Sequence, residues 1–124
     1  MGAALLVFVG GGFGALLRHG VNRAAFAIWG AAFPAGTIIV NVVGSLIMGL
    51  LIGLFAAYPA INQPARLFLT TGLLGGFTTF SAFSLDALTL YERGQVGLAL
   101  GYVAASVLLS LTAIAAGFFL SRAF

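Results

Sequence analysis

The sequence predicts an all-α membrane protein of four transmembrane helices with the third broken in mid-span, and three observations predict it. Of 124 residues, 62% are hydrophobic and only 6% charged, whereas soluble domains average about a quarter charged. Polar punctuation then divides the chain into four apolar stretches, each as long as the roughly 20 residues a helix needs to cross a bilayer core. Finally, the third stretch reads Gly72-Leu73-Leu74-Gly75-Gly76-Phe77-Thr78-Thr79-Phe80-Ser81-Ala82-Phe83-Ser84. An adjacent glycine pair, hydroxyls and phenylalanines stand there, where a lipid-facing segment has most reason to remain plain helix. Glycine favours no one backbone conformation, so a break is expected at residues 75–79. Unwound backbone at membrane depth is tolerated only where protein or a water-filled cavity covers it. The segment is therefore expected to be buried in an assembly.

The spans follow in order, as one transmembrane domain over residues 1–124. The first covers residues 3–29, interrupted by Arg18-His19. It lacks a basic n-region, which marks it as a retained span rather than a cleaved signal. The second covers residues 34–58, with Pro34 acceptable in a first helical turn. Residues 58–64 form a polar turn. The third span covers residues 66–91 and is closed by Glu92-Arg93-Gly94-Gln95. The fourth covers residues 96–120 and ends at Ser121-Arg122. Trp29, Tyr58 and Tyr91 fall near span ends, as interfacial aromatic belts predict. Gly10 and Gly14, like Gly49 and Gly53, have the spacing that lets helices approach closely.

Charge is sparse. There are five arginines, no lysine, two acids and no cysteine. No basic patch exists to neutralise a phosphate backbone, so nucleic acid is excluded as a partner. Thiolate metal sites and thiol nucleophiles are excluded outright. With four spans, Arg66 and Arg122 share one side, while Arg18, Arg23 and Arg93 share the other. If Arg18 lies within the membrane, the count is two against two and the positive-inside rule has almost nothing to act on. Insertion in both orientations, and an antiparallel homodimer, would follow.

Three polar or aromatic lines run inside the spans. Thr37, Asn41 and Ser45 lie four apart on one face of the second helix. Tyr102, Ser106 and Ser110 do the same on the fourth. Phe80 and Phe83 lie three apart on the third, with Ser81 and Ser84 beside them. Helix–helix hydrogen bonding accounts for any one such residue taken alone, but three lines beside a broken helix point to a pore. Its lining holds donors, the Asn41 amide and the hydroxyls, together with the positive edges of phenyl rings. It holds no central carboxylate of the kind a cation path or proton relay would show. Arg18 could raise the local anion concentration. Such a lining suits a small, strongly hydrated anion. His19 reads as interfacial and Met48 as packing. Asp86 is read as a residue to pair with an arginine across a dimer or to cap a loop. No hydrolytic triad or phosphate-binding lysine suggests an enzyme.

At these residues the sequence resembles the small dual-topology fluoride channels of the Fluc or CrcB family. The likeness covers essentially the whole chain. It is carried by Gly11-Gly12-Phe13-Gly14-Ala15-Leu16-Leu17-Arg18, by Gly36-Thr37-Ile38-Ile39-Val40-Asn41-Val42-Val43-Gly44, and above all by the run from Thr71 to Ser84. The resemblance implies an antiparallel homodimer in the inner or plasma membrane, with two pores that passively export fluoride. It implies that Phe80 and Phe83 line the pores edge-on, that Asn41 donates to fluoride with help from Ser81, and that Tyr102, Ser106 and Ser110 form a polar track. Arg18 would sit in a vestibule. A structural sodium ion at the dimer axis would be held by the carbonyls of Gly75 and Thr78. Family members often carry hydroxyl residues where this chain has Ala82 and Ile114. The runner-up, a small multidrug-type cation exporter, needs a carboxylate in the first span, and none is there.

Overall fold

The computed structural model describes residues 2–123, and its helices follow from where the chain can and cannot hide polar backbone. Helix α1 is Gly2–Trp29, about 42 Å long at 1.5 Å per residue. It stops at Gly30, whose φ of 74° is a conformation that favours glycine. Helix α2 is Ala35–Ala57. The third span covers Gln63–Glu92. It is built of α3 Gln63–Leu67, a π-helical stretch Phe68–Leu74, the single turn α4 Gly75–Phe77, and α5 Phe80–Glu92. Gly94, with φ 79°, turns the chain into α6 Val96–Ser121. All four spans are long and apolar enough to cross a membrane, and their ends lie within three residues of those expected.

The third span starts earlier than its apolar pattern suggested. Asn62 caps it, accepting a hydrogen bond from the Ala65 amide at 2.9 Å. Arg66 folds back over the same turn. It donates to the carbonyls of Ile61 at 2.9 Å and Phe55 at 3.1 Å, and its guanidinium lies 5.0 Å from the Phe55 ring centroid. The positive charge thus closes the C-terminal end of α2, where carbonyls lack helical partners.

Glycines set the helix contacts. The α2–α6 pair is the most extensive. A Cβ on Gly49 would strike the Ile114 carbonyl oxygen, and one on Gly117 would strike that of Leu46. On the other side, α1 lies against the π-helical stretch. A Cβ on Gly10 would come within 2.9 Å of the Phe68 carbonyl oxygen, and one on Gly14 would strike that of Leu73. Gly10, Gly14 and Gly49 therefore serve backbone-to-backbone approach, while Gly53 makes room for the Ser121 side chain. The broken span divides its packing accordingly. Its first half rests on α1, whereas α5 rests on α6, and α2 touches both.

The break itself falls inside the expected window but not at the glycines. Gly75 is helical, with φ −61° and ψ −37°, and the helix continues through Phe77. Only two residues leave it. Thr78 (φ −84°, ψ 160°) and Thr79 (φ −153°, ψ 121°) are extended. Gly76 has a different function from unwinding, because a Cβ there would collide with the Gly11 carbonyl oxygen. It lets α1 reach the end of the half-helix.

Candidate functional site around the helix break

Freeing two residues from a helix exposes polar backbone that something must satisfy. Leu74's carbonyl takes the first group, accepting from both the amide and the hydroxyl of Thr78 at 3.0 Å. Thr79 turns outward to Asn41 of α2. Its amide donates to Asn41 Oδ1 at 2.8 Å and its carbonyl accepts from Asn41 Nδ2 at 2.9 Å. The side-chain amide thus pairs with Thr79 as a neighbouring strand would. One turn along α2, Gly44 makes room for the Thr78 methyl, which a Cβ there would strike. Thr79 Oγ1 then starts α5 by accepting from the Ala82 amide at 3.1 Å. Across the break, Arg18 Nε donates to the Gly76 carbonyl at 3.0 Å.

Beside the break lies a groove of about 410 Å³. It gathers Asn41 and Ser45 from α2, Thr78 and Thr79 from the break, Phe80 and Phe83 from α5, and Ser106, Ser110 and Ile114 from α6. Five predicted site residues, Asn41, Phe80, Phe83, Ser106 and Ser110, therefore share one cavity wall. Asn41 still has a second N–H, since only one is used on Thr79. The Ser106 hydroxyl is buried, 4% exposed, and has no hydrogen-bond partner among the described residues. Its polar neighbour is the Tyr102 hydroxyl, which is turned to Asp86. Ile114 closes one end of the polar line with a purely apolar surface.

Three predicted residues stand elsewhere. Ser81 is exposed and does not line the groove; its hydroxyl lies 3.4 Å from that of Thr79. Arg18 sits against the break rather than free in an open mouth. Tyr102 is almost fully buried behind the groove, 1% exposed. Its ring continues an aromatic series, with Phe80 to Phe83 and Phe83 to Tyr102 both 5.5 Å between centroids. Its hydroxyl donates to Asp86 Oδ2 at 3.0 Å.

The sequence offers Asp86 only as an ion-pair partner or a loop cap. Within one protomer it pairs with no arginine among the described residues, and it lies inside α5 rather than capping a loop. It lines a second cavity of about 300 Å³ with Asn22, Thr37, Thr89 and Arg93. Thr37 faces that cavity, so the α2 polar line is shared between two spaces. An acid inside a membrane span is expensive and points to function by default. That signal was present in the sequence.

Four apolar spans, one of them broken, and a groove of unengaged donors beside the break define a membrane protein of the channel or carrier class. The family model described as CrcB-like protein, Camphor Resistance (CrcB), matches residues 5–118, and the chain belongs to that family. A Rhodopseudomonas palustris (strain BisB5) protein named fluoride-specific ion channel FluC is 56% identical over 119 residues, 96% of each chain. Nitrobacter hamburgensis has a relative named fluoride-specific ion channel FluC 2. It is 53% identical over 118 residues, 95% of each chain. One from Methylobacterium nodulans with the FluC name is 54% identical over 120 residues, 97% of this chain and 96% of its own.

Proposed function

We propose that this chain is a fluoride-specific channel that lets fluoride leave the cytoplasm passively through the inner or plasma membrane. The observation that carries the reading is the groove beside the break, held by a chain that is more than half identical to FluC-named relatives over nearly its whole length. Fluoride exchanges its water for the free N–H of Asn41, the Ser106 and Ser110 hydroxyls and the ring edges of Phe80 and Phe83. The Tyr102 proton is already engaged by Asp86, so in this protomer the donor track begins at Ser106.

The channel is an antiparallel homodimer with two pores. In a single protomer Phe80 is 78% exposed and the groove lies open. A second copy would cover both. The placement of Arg18 favours mixed insertion, because a guanidinium bonded to the mid-span break is not a loop charge. Arg66 and Arg122 then stand against Arg23 and Arg93.

The residues fit a sodium ion at the dimer axis. Gly75 is exposed on the protomer surface, Thr78 is out of helical geometry, and a half-helix C-terminus favours a cation. When bound, the ion would neutralise carbonyl dipoles of Gly75 and Thr78 from both subunits.

Fluoride efflux from liposomes tests the assignment of the wall. Phe80→Ile keeps apolar bulk but removes the ring edge. It is expected to lower flux at least about tenfold while the protein elutes like wild type. Undiminished efflux would remove Phe80 from the path.

A further inference from the structure

The two-residue gap is held from both sides by side chains of neighbouring helices. Asn41 of α2 holds Thr79, on the α5 side. Arg18 of α1 holds Gly76, on the α4 side. Arg18 lies four residues beyond Gly14, on the face of α1 whose glycines touch the first half of the span. Its side chain continues that contact to where the half-helix ends. There the final carbonyls lack helical donors, and a cation is favoured. Leu74's carbonyl still has its helical donor, the Thr78 amide, whereas Gly76's is served by Arg18. The close approach of Gly76 to Gly11 makes this reach possible.

We propose that Arg18 is a positioning residue. It acts through the Nε hydrogen bond to the Gly76 carbonyl, which fixes the broken helix and with it the angle at which Phe80 and Phe83 meet the groove. Its charge as an attractor of anions is secondary. The inference rests on the fluoride-channel reading for its functional consequence, though not for the bond.

Two substitutions separate bond from charge. Arg18→Gln places its amide nitrogen the same number of atoms from the backbone as the arginine Nε, so it keeps a donor and loses the charge. Arg18→Lys keeps the charge but has a methylene at that position, with its ammonium one atom further on. Positioning predicts that Arg18→Gln keeps fluoride efflux within about threefold of wild type, a neutral donor being weaker than a charged one. It predicts that Arg18→Lys lowers efflux at least about tenfold. The reverse order, or equal loss in both, overturns the proposal.

A second measurement needs no folded variant and no fluoride. In the wild-type dimer, the Arg18 Nε proton should exchange with heavy water much more slowly than that of exposed Arg23, read by NMR on arginine-labelled protein. Exchange as fast as that of Arg23 overturns the bond directly. A wild-type protein that fails to conduct fluoride would sink the channel reading and leave that exchange result standing.

Discussion

In the proposed channel Asn41 would serve fold and transport together. Its oxygen and one N–H complete the backbone of Thr79, and its other N–H remains beside the groove. Asn41→Asp puts an oxygen where Thr79's carbonyl expects a donor. Fluoride efflux from liposomes should fall at least about tenfold, since a half-buried carbonyl loses its partner and the lining gains a negative charge. Flux equal to wild type would show that neither loss matters. Ser106 separates the two functions more cleanly. Its hydroxyl is buried and unpaired, so Ser106→Ala should leave thermal stability unchanged or raised by up to about 1 kcal/mol. Its fluoride flux should still drop. A destabilised Ser106→Ala protein would mean that the hydroxyl has a structural partner. The sequence made Asn41 conspicuous, because an amide in hydrocarbon demands a partner. It could not name Thr79, which lies 38 residues away and meets Asn41 only because the span breaks there. The same holds for Asp86 and Tyr102, which spacing alone does not pair.

At the scale of helices, the third span was legible in outline and misleading in detail. Its glycines marked where the chain would depart from regular helix, but the departure belongs to Thr78 and Thr79. Glycine costs about 1 kcal/mol against alanine inside a helix, yet at Gly76 it permits a backbone contact that no side chain could share. Gly76→Ala should therefore push α1 off the half-helix and leave little monodisperse protein in size-exclusion chromatography. Gly97→Ala, where nothing lies within 4 Å, should be tolerated and serves as the control. Equal behaviour of the two would contradict the packing account. The π-helical stretch Phe68–Leu74 had no signature in composition. Apolar periodicity does not distinguish a π-helical turn from an α-helical one.

For the whole molecule, orientation follows from where the arginines go. Arg66, in the short helix α3 that opens the third span, is folded onto the end of α2, and Arg18 is held at the mid-span break by the Gly76 carbonyl. Leaving Arg18 aside, Arg66 and Arg122 towards one set of span ends face Arg23 and Arg93 towards the other, and mixed insertion is expected. Ala60 lies in the exposed turn after α2, so Ala60→Cys adds a single thiol to a cysteine-free chain without removing the Asn62 cap. A membrane-impermeant thiol reagent applied to intact cells should reach about half of the copies. Labelling of every copy, or of none, would rule out dual topology and with it the antiparallel dimer. This balance could be read from the sequence only as a conditional. The condition turns on Arg18, which the fold ties to the Gly76 carbonyl at the break.

Halide choice is where these scales meet, because amide, hydroxyl and ring-edge contacts must together replace the water of a small anion. The direct measurement uses purified wild-type protein in liposomes loaded with fluoride and chloride, with each ion followed by a selective electrode. The account predicts prompt release of fluoride while chloride stays inside. Release of both at similar rates, or of neither, would contradict it.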